Sequence, residues 1–252
     1  MPISSGTIKF ISSLRRKKMR QNYHNFTAEG HRIVAELLAQ DAYPVKHIYA
    51  LENWAAEHGA GLTVPLTVVT PRELGRITQL TTPNQVLALC DIPAIPTDLP
   101  GGIAEGWSLY LDGIQSPSNL GALLRIADWF GFQHVIGGPG TADLYNSKTI
   151  QASMGSFLRV SYRTGELSEI TTAFPELVTF GADLDGEDIF SVNAPTRGVL
   201  VIGSEGPGIR EEARSQVQRW VTIPRAAERQ AESLNAAVAA GILAGQLVNG
   251  VR

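Results

Sequence analysis

Four short and almost unbroken apolar runs, Trp107–Asp112, Leu177–Ala182, Gly198–Gly203 and Trp220–Pro224, constrain this chain more than any other feature. Runs of this length without polar alternation fit strands whose two faces are both covered, as in a parallel sheet flanked by helices. Helical stretches lie between them. Asn119–Phe130 carries Leu120, Leu123, Leu124 and Ala127 on one face and is closed by Gly131, His134–Gly137 follows as a further strand, and a last helix runs from about Ser233 to Val248. The alternation predicts an α/β architecture built on a mostly parallel sheet.

A second, smaller α/β pattern precedes it. Glu29–Gln40 has helical spacing, Val45–Leu51 reads as a strand, a short helix lies near Trp54, Leu66–Thr70 is strand-like, a helix starts at Pro71, and Gln85–Asp91 is strand-like. Between the two patterns, Pro93, Pro96, Pro100, Gly101, Gly102 and Gly106 exclude a helix or a central strand. The expected organisation is a domain at residues 1–92, a linker at 93–106 and a larger domain at 107–252. At 252 residues, 44% of them hydrophobic and 18% charged, the chain has the composition of an ordinary globular protein.

The net charge of −3 argues against a uniformly positive surface that coats nucleic acid. That total hides a division. Residues 1–100 hold ten Lys and Arg against eight Asp and Glu, whereas residues 101–252 hold eleven against sixteen. Most of the positive excess is the run Arg15, Arg16, Lys17, Lys18 and Arg20, which is either a solvated helix end or a patch that contacts phosphates. Cys90 is the single cysteine, so no intramolecular disulfide forms, and no Cys/His spacing suits a metal. A cytoplasmic protein without metal is expected. The start lacks the apolar core of a secretory signal, and its Arg- and Ser-rich, acid-poor character is read as part of the mature domain and not as a transit peptide. Leu234–Val251, interrupted by Asn235, Gln246 and Asn249, reads as a buried helix and not as a membrane span.

Three clusters can carry chemistry. In the first, a strand ends at Asp112, a turn with Pro and Ser follows, Asn119 is placed to cap the next helix, and Arg125 falls between apolar positions. Loops beyond the carboxyl ends of such strands are where ligands bind, although a plain cap and a solvated arginine give the same pattern. The second, Gly198 to Arg210, surrounds Glu205 with glycines that let backbone approach a ligand closely, yet it matches neither a phosphate loop nor a dinucleotide fingerprint. In the third, Ile223-Pro224 ends a strand, Arg225–Glu232 forms a polar loop, and Ser233-Leu234-Asn235 opens a helix thin enough, with its many Ala and Gly, for a crowded core or a dimer seam. Ser233 is the expected N-cap. A hydrolase is disfavoured, because no Gly-x-Ser-x-Gly is present.

In order and spacing, these clusters resemble the three signature motifs of the SpoU (TrmH-type) family of RNA ribose 2′-O-methyltransferases. The resemblance covers roughly Ser108–Val248. Leu14-Arg-Arg-Lys-Lys-Met-Arg, Phe26-Thr-Ala-Glu-Gly and Thr82-Pro-Asn-Gln-Val-Leu-Ala are similar to the small ribosomal-protein-like RNA-binding domain of the same family, and Asp143-Leu-Tyr-Asn-Ser-Lys and Ala152-Ser-Met-Gly to its stretch between the first two motifs. The resemblance implies a SPOUT-type domain with a deep trefoil knot, S-adenosylmethionine as cofactor, structured RNA as substrate, with ribosomal RNA ahead of transfer RNA, and a homodimer with the active site at its interface. It also implies cofactor contacts from Gly203, Ile223 and Leu234, and a polar catalytic set of Asn119, Arg125, Glu205, Ser233 and Asn235. RNA contacts would come from Arg15, Arg16, Lys17, Lys18 and Arg20. The loop Arg225–Glu232 departs from the family by being about two residues longer and lacking glycine. A non-catalytic RNA-binding or ribosome-assembly factor on the same fold is the competing reading, and the joint retention of Asn119, Arg125, Glu205, Ser233 and Asn235 speaks against it.

Overall fold

A computed structural model describes residues 3–94, 99–226 and 232–249. Linker residues 95–98 and the central part of the polar loop, residues 227–231, lie outside the described residues.

By contact the chain divides into two units, one of residues 1–94 with 145–158, the other of residues 95–144 with 159–252. In chain order the first contains α1 (Ser5–Ser13), α2 (Lys17–Tyr23), β1 (Asn25–Glu29), α3 (His31–Leu38), β2 (Val45–Ala50), α4 (Glu52–His58), β3 (Leu66–Val68), α5 (Pro71–Ile77) and β4 (Val86–Asp91). Its sheet has the order β1-β4-β2-β3, antiparallel except for β2 and β3. Ile8 and Ile11 of the first helix and Leu14 just after it pack with Leu74, Ile77, Leu87 and Leu89 into one core.

The second unit has β5 (Trp107–Asp112), α6 (Pro117–Phe130) and β6 (His134–Gly137). After α7 (Ser147–Ser153), which belongs to the first unit, come β7 (Ser161–Thr164), α8 (Leu167–Ala173), β8 (Thr179–Asp188), β9 (Gly198–Gly203), α9 (Glu211–Arg214), β10 (Arg219–Thr222) and α10 (Ala236–Asn249). Its six strands are all parallel in the order β10-β8-β9-β5-β6-β7. The expected strands at β5, β8, β9 and β10 are present. From β5 the chain turns to β6 on one side, and from β9 it continues to β10 beyond β8 on the other. The adjacent carboxyl ends of β5 and β9 therefore form the switch point at which α/β sheets hold ligands.

Three expectations are corrected. The stretch 93–106 is not linker throughout, since Leu99 and Ile103 pack into the core of the second unit, Ile103 from a short 3-10 turn at Gly101–Ala104. Residues 145–158 join the first unit, where Tyr145 and Phe157 surround Phe26, with ring centroids 4.9 and 6.3 Å from it. Glu29-Gly30 does not begin a helix: Glu29 ends β1, Gly30 makes the turn at φ 98°, and α3 starts at His31.

Candidate active site

Helix α6 begins with Ser116, whose hydroxyl accepts the Asn119 backbone N–H at 3.4 Å. Asn119 is thus not the cap. It sits in the first turn with its side chain free to reach the neighbouring loop. That loop leaves β9 at Gly203 and folds back on itself, with reciprocal Ser204–Gly208 backbone bonds of 3.1 Å each. A Cβ on Gly203 would lie 2.4 Å from the Gly208 carbonyl carbon, so only glycine fits there.

Folding the loop back presents Glu205 to both helices. Its Oε1 accepts from Asn119 Nδ2 at 3.1 Å, from Asn235 Nδ2 at 2.6 Å and from the Ala236 backbone N–H at 3.3 Å. Asn235 Nδ2 also donates to Asn119 Oδ1 at 3.1 Å. Asn235 Oδ1 caps α10 by accepting from the N–H groups of Ala237 and Val238 at 3.1 and 3.3 Å. The expected cap, Ser233, lies two residues before the actual one. Asn235 replaces it because Glu205 takes the otherwise orphaned Ala236 N–H and fixes the helix start there.

The base of the loop is held by a pair that sequence reasoning missed. Asp112 at the end of β5 is fully buried, and its carboxylate accepts from Arg210 N at 2.6 Å, Nε at 2.9 Å and Nη2 at 2.7 Å. These hydrogen bonds raise the Arg210 guanidinium above its ordinary pKa. Glu166 adds a longer contact to Arg210 at 3.4 Å. Buried beside this pair, the Tyr110 hydroxyl is pushed up to about 12.

Two cavities meet at Glu205. The larger, about 420 Å³, is lined by the middle of β8, the ends of β9 and β10 and the segment entering α10. Gly203, Ile223, Ser233 and Leu234 all line it, with Ile202, Ile209 and Val221 as apolar walls. The smaller, about 300 Å³, lies at the end of β5 and shares Ser204, Glu205, Gly206, Pro207 and Ala236 with the larger. Asn119, Glu205 and Asn235 are therefore brought together, and Ser233 lies nearby without joining their hydrogen bonds. Arg125 stays exposed on α6 and makes no hydrogen bond or ion pair among the described residues.

In the first unit the basic run separates. Arg16, Lys17 and Lys18 are exposed, and Arg15 donates to the Thr78 carbonyl. Arg20 departs from the expected phosphate-facing patch. It is 3% exposed, and its Nη1 donates to the carbonyls of Leu14 at 2.6 Å and Arg15 at 3.0 Å, satisfying the chain end of α1. Among the described residues there is no group of three or more His, Cys, Asp or Glu arranged for a metal, and no helix long and apolar enough to cross a membrane.

The model of the SpoU rRNA methylase family matches residues 106–245, and that of an MRM3-like substrate-binding domain matches residues 6–88. Among curated proteins, the 23S rRNA (guanosine(2553)-2′-O)-methyltransferase of Bacillus subtilis is 28% identical over 94% of this chain and 93% of its own length. A solved structure described as an RNA methyltransferase of the TrmH family from Porphyromonas gingivalis superposes with a TM-score of 0.84 and 35% identity, over 97% of this chain and 98% of that one. The SpoU methyltransferase AviRb from Streptomyces viridochromogenes, solved in complex with AdoMet, shares the fold at a TM-score of 0.85 and 22% identity, over 98% of both chains.

Proposed function

This chain belongs to the SpoU rRNA methylase family, and from that premise we propose that it transfers the methyl group of S-adenosylmethionine to a ribose 2′-hydroxyl of large-subunit ribosomal RNA. The observation that carries the reading is Glu205, which lines both cavities and is held there by hydrogen bonds from Asn119 and Asn235. Transfer between two bound molecules needs such a boundary, with reactants on either side and fixed polar groups between them.

The larger cavity fits the cofactor. Its volume falls in the range of small-molecule sites, and its apolar walls suit a flat nucleobase. Gly203, Ile223 and Leu234 would hold it, in loops for which the family resemblance implies a trefoil knot. When bound, S-adenosylmethionine supplies an electrophilic methyl group on a sulfonium. Asn235 and Glu205 fix Asn119, whose amide orients the ribose. Arg125, with a planar fork of five donors, steadies the oxygen as negative charge develops and grips the adjacent phosphate, while the hydroxyl proton leaves to water. A permanently charged guanidinium does not serve as the base.

The active form is a homodimer. Arg125 and Trp129, four residues apart, share the exposed face of α6, and Trp129 is 84% exposed. A second copy seated on that face covers Trp129 and puts Arg125 at the interface. Arg16, Lys17 and Lys18 hold the RNA backbone. Ribosomal RNA as substrate implies a cytoplasmic site of action.

The test is transfer of labelled methyl from S-adenosylmethionine to large-subunit ribosomal RNA, followed by mapping of the modified ribose. One 2′-O-methylated nucleotide is expected. Failure to bind S-adenosylmethionine in calorimetry, with RNA binding retained, would instead identify a non-catalytic factor.

A further inference from the structure

We propose that Gln115 reads the base of the nucleotide being methylated, an inference that rests on the methyltransferase reading and extends it to substrate choice. If the methyl group comes from the larger cavity, it crosses at the shared wall. The ribose then lies at Glu205 on that wall, beside Asn119 of the smaller cavity, and its base projects into the smaller cavity.

The lining of the smaller cavity suits a nucleobase better than a phosphate. It contains no Lys or Arg and already holds the Glu205 carboxylate, so an added anion would be repelled. Ile114 and Pro207 give it apolar surface for the face of a ring. What remains is recognition of the ring's edge.

Five polar side chains line this cavity: Gln115, Ser116, Asn119, Ser204 and Glu205. Four are committed. Ser116 caps α6, Asn119 and Glu205 bond to each other and to Asn235, and Ser204 Oγ donates to the Gly208 carbonyl at 3.3 Å. Gln115 is exposed and makes no hydrogen bond among the described residues. Its carboxamide presents an N–H donor beside a carbonyl acceptor, which matches the adjacent donor and acceptor on the edge of a base. A phosphate, which only accepts, would leave that carbonyl unmatched.

The experiment uses the full chain, S-adenosylmethionine with a labelled methyl group, and four transcripts of the mapped ribosomal RNA region that differ only in the base at the modified position. For Gln115→Ala, kcat/KM on the preferred transcript is expected to fall roughly tenfold, with the spread among the four bases narrowed, because a two-point contact to a base discriminates by about that much. The Kd for S-adenosylmethionine is expected to be unchanged. Gln115→Glu, which only accepts, is expected to reorder the four bases. Wild-type kcat/KM and base preference in Gln115→Ala would overturn the proposal, as would an equal loss on all four transcripts, which a merely structural role produces. In either case the wild-type protein still methylates its mapped nucleotide. Absence of transfer by the wild type is the separate result that removes the methyltransferase reading itself.

Discussion

Asp112 and Arg210 stand 98 positions apart in the sequence and bring four groups into register: a strand end, the strand beside it, and both ends of the loop that carries Glu205. The carboxylate is fully buried and depends on Arg210 for three of its hydrogen bonds. Asp112→Asn is expected to cost about 1–3 kcal/mol in urea unfolding, because a buried neutral amide replaces a carboxylate that accepts charge-assisted hydrogen bonds from the half-buried Arg210. Binding of S-adenosylmethionine weakens with it, since the loop also lines the larger cavity. Sequence reasoning found Asp112 as a strand end and Arg210 as a loop end, but nothing local to either reveals the partner. The helix caps show the same limit. Ser116 and Asn119, or Ser233 and Asn235, equally satisfy the preference for a short polar residue at a helix start, and the choice falls to a carboxylate from a distant loop. That Asn119, Glu205 and Asn235 lie together was legible only through the family resemblance of the motifs that hold them.

At the scale of elements, α6 and α10 form the frame of the site. Helix α10 packs against α6, and a Cβ on Gly241 or Gly245 would approach Ile126 at 3.7 Å or Phe130 at 3.3 Å. Part of the thin face of α10 therefore serves packing within one chain. The other side of α6 exposes Arg125 and Trp129, the face on which the proposed dimer rests. Trp129→Asp is expected to turn a dimer into a monomer in light scattering, and to lower methyl transfer with it. The strands that the sequence concealed have physical reasons for being concealed. All five residues of β1 are buried although three are polar, because Asn25 bonds to Asp91 at 2.7 Å, Thr27 to Gln79 at 2.7 Å, and Glu29 to Thr78 and Gln79. Satisfied polar groups erase the hydropathy pattern. Strand β7 is an edge strand of four residues, exposed at Ser161 and Thr164 and half-buried at Tyr162 and Arg163, and leaves no apolar run to find.

For the whole molecule, the basic residues of the first unit and the acidic balance of the second define different tasks. Arg16→Glu with Lys17→Glu is expected to weaken binding to ribosomal RNA and to flatten its dependence on salt, by a log–log slope of about 1.4 for two lost phosphate contacts. Calorimetry with S-adenosylmethionine is expected to be unchanged. Equal RNA affinity before and after reversal would remove the basic run from the RNA-binding surface. Arg20 is left out of this pair because its side chain supports α1, and its replacement would report on folding.

The path of the chain between its two units has a genetic consequence. Residues 145–158 are encoded within the methyltransferase part, yet they complete the first unit, where Tyr43 and Phe26 meet Phe157 and Tyr145. A gene fragment that starts after the Pro/Gly stretch carries this segment without the partners that bury it, and one that stops there lacks a piece of its own core. The substrate-binding part is therefore not a cassette that one recombination event can move: its coding sequence is interleaved with that of the enzyme.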